Sequence, residues 1–284
     1  MTVPLQELSS IVASDLPGRR VPVLLDLSSW ERALECIMEA GNILLITGFM
    51  VPGAGTPETD GPPGSVVLGR ALARLGKEVR IVTDPNCFEG INGCSMSVEG
   101  PEVLSLEKGE DLFDYSPDLL IFVERLGKAA DGRYYNMRCE DISALTYPLD
   151  EAAWKASEKG IPVIAIGDGG NEAGMGLIAD RIIEVLPDFR KCISMVPSDV
   201  VLPVDVSNWG AYALTAMLSL EKGIWMGHSP REEEIMLEKM FSLGCVDGVT
   251  GKTALSVDGF PLSENLKIIE DLHRWWERKG PVSL

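Results

Sequence analysis

The chain is poor in basic residues and in histidine, and both shortages restrict its possible functions. Its 284 residues include 25 lysines and arginines against 43 aspartates and glutamates, which gives a formal net charge of -18. Nucleic acids and anionic membranes are bound through clustered cations, so neither is an expected partner. The two histidines, His228 and His273, are too few for a histidine metal site.

Long hydrophobic runs and closely spaced cysteine pairs are also missing. No apolar run approaches the roughly 20 residues that span a bilayer, and the N-terminus lacks the basic start and apolar core of a signal peptide. The six cysteines form no C-x-x-C pair, which argues against structural zinc and favours reduced thiols. These features predict a soluble, cytoplasmic protein, and the sequence is compatible with a homo-oligomer.

Short apolar runs alternate with segments of helical periodicity along the chain. The predicted strands are residues 42–47, 79–83, 119–123, 162–166 and 200–204. The predicted helices are residues 28–40, 66–75, 150–159 and 210–220, with two more beginning at residues 229 and 263. This alternation predicts a three-layer, Rossmann-like α/β fold, with a mostly parallel sheet and helices on both faces. We expect one domain, with an N-terminal arm and helix (1–40), a core (41–255) and a C-terminal helix (261–280).

Two of these helices have capping signals at their starts. Ser28 and Glu31 have the spacing of a capping box. Ser229, Pro230 and Glu232 supply a cap, a first-turn proline and an acid at the same spacing.

Two glycine-rich loops carry acids at predicted strand ends. Residues 48–64 follow the first strand and include Glu58 and Asp60, while GDGGNEAGMG (167–176) includes Asp168 and Glu172. Neither loop has the lysine of a phosphate-binding loop or a dinucleotide fingerprint directly after a strand, so no nucleotide is expected. Because ligands bind at the carboxyl ends of parallel strands, both loops are candidate site elements.

Carboxylates that converge from two strand ends repel each other unless a cation lies between them. That cation is either a divalent metal, Mg²⁺ or Mn²⁺, or the ammonium group of a substrate. The candidate metal ligands are Asp168, Glu172, Glu58 and Asp60. Two structural alternatives remain open: Asp60 as a helix cap, and Asp168 with Glu172 as partners of a helix dipole.

Positive charge follows a third strand. Arg125 lies at the end of the strand 119–123, and Asn136 and Arg138 come soon after it. Guanidinium groups bind carboxylates through paired hydrogen bonds, so both arginines are predicted to hold substrate carboxylates, with surface ion pairing as the alternative. Asn136 adds a neutral hydrogen-bonding group. Together these residues suit a small acidic amino acid or a related metabolite.

Three ordered motifs support a family resemblance. LLITGFMVPGAGTPETDGPPGSVVLGRAL (44–72), FVERLGKAADGRYYNMR (122–138) and IGDGGNEAGMG (166–176) resemble the D-glutamate cyclase family. The resemblance covers roughly residues 41–251. It implies conversion of D-glutamate to 5-oxo-D-proline and water.

This resemblance suggests roles for the candidate residues. Asp168 and Glu172 bind the metal or the ammonium, with Glu172 as the base, and a metal would polarise the substrate carboxyl. Asn171 and the amides of Gly169 and Gly170 act as hydrogen-bond donors. Residues 207–210 and 247–251 either contribute to the site or form only a cap and a turn. The alternative functions are a metal-dependent hydrolase of a phosphate ester or lactam, and a non-catalytic sensor of an acidic metabolite.

Overall fold

A parallel six-stranded sheet forms the centre of the protein. The structure is a computed structural model that describes residues 4–279. Its strands are β1 (Asn42–Gly48), β2 (Met50–Val51), β3 (Thr56–Pro57), β4 (Glu78–Thr83), β5 (Glu102–Ser105), β6 (Leu119–Arg125), β7 (Val163–Gly167), β8 (Val200–Pro203), β9 (Ser256–Val257) and β10 (Phe260–Pro261). The sheet order is β5-β4-β1-β6-β7-β8, while β2 pairs with β3 and β9 with β10 in two small hairpins. This is the strand order of the Rossmann fold.

Helices cover both faces of the sheet and confirm the predicted three layers. They are α1 (Leu5–Val12), α2 (Ser28–Glu39), α3 (Pro62–Arg74), α4 (Phe88–Ser97), α5 (Glu151–Lys159), α6 (Ala179–Val185), α7 (Ser207–Lys222), α8 (Pro230–Ser242) and α9 (Leu262–Lys279). Alternate residues of β1 enter two different cores, as the pleat of a strand requires. Ile43 and Leu45 pack on the side of α3 and α7, whereas Leu44 and Ile46 pack on the side of α5.

Three helices, α1, α4 and α6, were not predicted. The sequence of α4 looks like a loop, since it has two glycines in ten residues. Its glycines lower helix propensity, but they allow the helix to pack closely against the end of α8. A Cβ atom at Gly90 would lie 2.4 Å from the sulfur of Cys245, and one at Gly93 would lie 2.2 Å from Leu243. Close packing against the end of α8 therefore explains the glycines at positions 90 and 93, whereas local helix propensity does not.

The two capping predictions have different outcomes. At α8 the capping box is present: Glu232 N–H donates to Ser229 Oγ at 3.3 Å, and Ser229 N–H donates to Glu232 Oε2 at 2.8 Å. At α2 the prediction is wrong, because Ser28 is the first helical residue and its side chain forms no capping hydrogen bond among the described residues. Asp26, two residues earlier, accepts the Ser28 N–H at 3.0 Å.

From β1 the chain adds β4 and β5 on one side of the sheet, and it then crosses back to add β6, β7 and β8 on the other side. The position between β1 and β6 is therefore the switch point of the sheet. The carboxyl ends of β1, β6 and β7 are therefore neighbours at the point where α/β sheets bind ligands. Within residues 4–279, no helix has both the length and the apolar character needed to cross a bilayer. Residues 1–3 and 280, which the predicted arm and last helix include, lie outside the described residues.

Candidate active site

A cleft of about 470 Å³ opens at the carboxyl ends of β1, β6 and β7. Its walls come from the loop after β1, the turn 136–140, the loop after β7 and the turn 247–251. The charged residues that line it are Arg19, Glu58, Asp60, Glu124, Arg138, Glu140, Asp168 and Asp258. Carboxylates thus outnumber guanidinium groups, which makes the cleft attractive to a cation.

Three buried carboxylates meet at the bottom of this cleft. One oxygen from each of Asp60, Glu124 and Asp168 lies within 4.8 Å of the others. Burial raises the pKa of all three carboxyls, and for Asp60 it does so to about 7. Carboxylates this close remain ionised only if they share a proton or hold a cation. These three residues form the acidic trio of the cleft.

Glu124 reaches the trio through an unusual backbone conformation. Its φ is +45°, in the region that side chains other than glycine seldom adopt. Thr47 pairs with Val123 but Gly48 pairs with Arg125, so Glu124 is the extra residue of a bulge in β6. Bulges redirect side chains, often next to active sites. Glu124 was not predicted from the sequence, because the bulge depends on pairing with β1, which is distant in sequence.

Asp60 joins the β1 loop to two helices. Its carboxylate accepts the N–H groups of Ser207 at 3.0 Å, Asn208 at 2.8 Å and Gly61 at 2.9 Å, so it caps α7. In return, Asn208 Oδ1 accepts the N–H groups of Gly61 and Gly64 at the start of α3. Residues 207–208 therefore do contribute to the site, since they fix Asp60. Asp60 does cap a helix, as the structural alternative expected, but that helix is α7 and not α3, which follows Asp60 in sequence.

Asp168 forms an ion pair with a residue that sequence analysis did not identify. Arg19 Nη1 lies 2.5 Å from Asp168 Oδ1, and its Nη2 lies 2.5 Å from Asp258 Oδ2. Asp168 Oδ2 is buried without a hydrogen-bond partner among the described residues, as are Glu58 Oε1 and Asn171 Oδ1. Buried polar atoms rarely lack partners. Three such oxygens in one cleft therefore indicate a site for a cation or a hydrogen-bond donor.

Glu172, which was predicted as the catalytic base, binds backbone groups of its own loop. Its carboxylate accepts the N–H groups of Asp168 at 2.9 Å, Gly169 at 2.7 Å and Gly170 at 2.6 Å. None of Glu172, Gly169 and Gly170 lines the cleft. The carboxylate and the two glycine amides, predicted to bind a substrate or metal, bind each other in this structure. This arrangement holds the loop that presents Asp168 and Asn171.

Arg125 is likewise committed to the fold, because its buried guanidinium has protein partners. Nη1 lies 2.5 Å from Asp84 Oδ2 and donates to the Gly48 carbonyl at 3.0 Å, and Nη2 donates to the Tyr147 carbonyl at 2.6 Å. Arg125 does not line the cleft. This placement is contrary to the predicted binding of a substrate carboxylate.

Arg138 and Asn136 do line the cleft. Arg138 is exposed at the mouth, and its Nη2 lies 3.4 Å from the Val249 carbonyl. Asn136 Oδ1 accepts the N–H groups of Arg138 at 2.9 Å and Glu140 at 3.0 Å. Asn136 thus shapes the turn that presents Arg138.

A disulfide bond anchors the same turn. Cys139 is bonded to Cys192, with the Cα atoms 5.4 Å apart and a separation of 53 positions in sequence. The expectation of reduced thiols is therefore wrong for this pair, while the other four cysteines are free. The bond joins the wall that carries Arg138 to the segment that follows α6. The large separation in sequence left no local signal for it.

Comparison with known protein families identifies this architecture. Residues 8–273 match the family described as D-glutamate cyclase-like, C-terminal. The chain belongs to this family. It is 29% identical over 306 residues to the mitochondrial D-glutamate cyclase of Homo sapiens, a match that covers 90% of the chain and 49% of the human protein. The chain therefore spans about half the length of that curated relative.

A solved structure gives a weaker likeness to this D-glutamate cyclase-like chain. An exopolyphosphatase-related protein from Bacteroides fragilis superposes with a TM-score of 0.45 and 11% identity, covering 92% of this chain and 62% of that protein. Similarity at this level carries no argument about function. The family match confirms the resemblance expected from the three motifs, and it also includes Arg19 and Asp258, which lie outside them.

Proposed function

We propose that this chain converts D-glutamate to 5-oxo-D-proline and water. The observation that carries the proposal is the buried acidic trio at the bottom of a cleft, with one oxygen of Asp168 unpartnered among residues 4–279. Membership of the D-glutamate cyclase-like family supports the choice of substrate.

The reaction requires two opposite proton transfers. A bond forms between the amino nitrogen and the side-chain carboxyl carbon, and one carbon–oxygen bond of that carboxyl breaks. Two protons leave the ammonium nitrogen, and both depart with the oxygen as water. The site therefore needs a carboxylate that takes both protons in turn from the nitrogen and a protonated carboxyl that gives both in turn to the oxygen. Proton transfer from the first group to the second restores each of them.

Asp168 and Glu124 are suited to these two roles by their surroundings. Burial raises the pKa of both carboxyls, but the Arg19 guanidinium opposes this effect at Asp168. At Glu124 burial is reinforced by the neighbouring carboxylates of Asp168, Glu172 and Asp60. Paired acids whose environments differ in this way divide acid and base roles between them. We therefore assign Asp168 as the base and Glu124 as the acid.

Two further residues are proposed to orient the substrate. Arg138 extends into the mouth of the cleft with little competition for its guanidinium, so it is suited to the side-chain carboxylate. Asn171 donates through Nδ2 to the Tyr135 carbonyl at 2.9 Å, which fixes its amide and leaves Oδ1 unpartnered among the described residues. That oxygen is suited to accept a hydrogen bond from the substrate ammonium.

A divalent metal is the alternative occupant of the acidic trio. Carboxylate oxygens are the ligands that Mg²⁺ and Mn²⁺ prefer, and Asp60, Glu124 and Asp168 would hold the ion. Such a metal would polarise the side-chain carboxyl of the substrate. Phosphate ester hydrolysis has less support, because only Arg19 and Arg138 bring positive charge to the cleft within the described residues.

Proton NMR of the purified protein tests this function. D-glutamate and L-glutamate are each incubated with Mn²⁺, with Mg²⁺ or with EDTA. We expect 5-oxoproline from the D isomer alone, and loss of product in EDTA would assign the trio to a metal. Product that persists in EDTA would assign it to proton transfer between carboxyls. Absence of product under every condition would overturn the proposed function.

A further inference from the structure

A segment of irregular backbone between α1 and α2 brings Arg19 into the cleft. Asp205, just after β8, holds the start of this segment by accepting the N–H groups of Ser14 at 3.1 Å and Asp15 at 2.8 Å. Asp15 and Arg20, on either side of Arg19, have φ values of 63° and 66°. Residues other than glycine keep this conformation only where surrounding contacts impose it. The segment is thus held in a conformation that delivers the Arg19 side chain.

Arg19 retains donors for another acceptor. Its Nη1 contacts Asp168 and its Nη2 contacts Asp258. A guanidinium has five N–H groups, so more than half of them are not used by these two contacts. The side chain is 19% exposed and lines the cleft. A carboxylate that enters the cleft can therefore reach a guanidinium that is already fixed in place.

Asp168 offers the complementary group beside it. Its Oδ1 is paired with Arg19, while Oδ2 is buried and has no partner within residues 4–279. An anion and a cation in contact, both at the cleft, match the head of an α-amino acid, whose ammonium and carboxylate share one carbon. A simple amine would engage only half of this pair.

We propose that Asp168 and Arg19 together bind the α-amino acid head of the substrate, with Asp168 accepting from the ammonium and Arg19 donating to the α-carboxylate. This inference rests on the proposed function for the nature of the ligand, and it extends that function by making the α-carboxylate a requirement. Ring closure leaves the α-carboxylate intact, so Arg19 holds it in both substrate and product. Arg138, at the mouth, remains for the side-chain carboxylate.

The test compares D-glutamate with 4-aminobutanoate, which keeps the amine and the distal carboxylate but lacks the α-carboxylate. Calorimetry measures the binding of both ligands to the wild type, Arg19→Gln and Arg138→Gln. We expect Arg19→Gln to lower the ratio of the D-glutamate affinity to the 4-aminobutanoate affinity by about 10- to 100-fold, as for loss of a charged hydrogen bond. Arg138→Gln should weaken both ligands alike, because both carry the distal carboxylate.

Folding controls accompany these variants, since Arg19 also neutralises buried acids. Thermal unfolding by circular dichroism is recorded for each variant. Arg19→Lys keeps a cation between Asp168 and Asp258 but loses the planar fork, so it should give an intermediate loss of D-glutamate affinity. If Arg19→Gln or Arg19→Lys folds yet keeps the wild-type ratio of the two affinities, Arg19 is only a counter-ion and the inference is overturned.

The inference and the proposed function can fail separately. If the wild type forms no 5-oxoproline but Arg19→Gln still removes its preference for D-glutamate over 4-aminobutanoate, the reaction is wrong and the subsite stands. If the wild type has no such preference, or binds neither ligand, the subsite is overturned whatever the turnover.

Discussion

The two glycine-rich loops look alike in sequence but differ in where their carboxylates find partners. In the loop after β7, Glu172 accepts the N–H groups of residues 168–170, within its own loop. In the loop after β1, Asp60 accepts N–H groups from α7, which lies almost 150 residues away in sequence. One loop is thus organised around its own acid, whereas the other depends on distant elements.

A second contrast lies within the loop after β7, where the Glu172 carboxylate binds backbone N–H groups and the Asp168 carboxylate lines the cleft. Glu172 accepts N–H groups of its own loop and does not line the cleft, whereas Asp60 accepts as many N–H groups and does line it. Asp168 lies in the same loop as Glu172, but its side chain points away from the amides that Glu172 binds into the cleft, where one oxygen lacks a partner within residues 4–279. The glycines therefore identify the loop after β7 as a candidate site element, and the unpartnered Oδ2 of Asp168 identifies the candidate binding position within it.

The largest expected effect comes from Asp168→Asn, which removes the proposed base. Loss of a general base slows turnover by about 10²- to 10⁴-fold. The unfolding free energy should change by only about 1 kcal/mol, because relief of repulsion in the trio offsets the weaker contact with Arg19. Product formation by NMR and chemical denaturation measure the two quantities. Turnover within a factor of two of wild type would exclude Asp168 as the base.

Glu172→Gln should show the reverse pattern. Its carboxylate accepts three buried N–H groups, so the variant is expected to lose about 2 to 4 kcal/mol of unfolding free energy. Turnover per folded molecule should fall far less than in Asp168→Asn. Glu184→Gln, on the exposed side of α6, is the matched control and should leave denaturation unchanged. A stable Glu172→Gln protein with no turnover would restore Glu172 as the base.

Gly248→Ala tests the dependence of the β1 loop on a distant segment. A Cβ atom at Gly248 would lie 1.9 Å from Glu58 Oε2, so the Glu58 side chain has to move. We expect a loss of about 1 kcal/mol, at the low end for overpacking, because the clashing atom is the end of a flexible side chain beside the cleft. Gly53→Ala, in the β1 loop itself, is the control, because a Cβ atom there meets nothing within 4 Å. Equal thermal unfolding midpoints for the two variants would contradict this account.

Most of the fold could be predicted from the sequence. The buried strands of the parallel sheet, apart from β5, are short apolar runs, and their alternation with helical patterns fixes the layer architecture. What escaped prediction depends on contacts made after folding. The helix α4 is stabilised by close approach of Gly90 and Gly93 to the end of α8, and neither contact leaves a local pattern.

The candidate site was predicted only in part, for a similar reason. Glu58, Asp60, Asp168 and Asn171 were found because they lie in conspicuous loops, and all of them line the cleft. Arg125 was predicted to bind a substrate carboxylate because it follows a strand, but Asp84 pairs with it in the folded protein. Partners that decide whether a charge is free come from other elements, and sequence alone does not show them. Asp258 has a local signal for its position but not for its partner, because Asp258-Gly259 is a residue pair typical of a two-residue hairpin turn.

The smallest effect is expected at Glu232, which resembles Glu172 in its bonding but is partly exposed. Burial raises its pKa, but the Ser229 N–H and Arg70 outweigh this and lower the pKa from 4.5 to about 2. A lowered carboxyl pKa stabilises the fold above the unfolded value, so this contribution is complete above pH 4.5 and is lost as the pH falls towards 2. Solvent screening keeps it below about 1 kcal/mol. The unfolding free energies of the wild type and Glu232→Gln, measured by denaturation, should therefore differ slightly at pH 7 and less at pH 3. A larger difference at pH 3 would mean that the protonated form of Glu232 is the stabilising one.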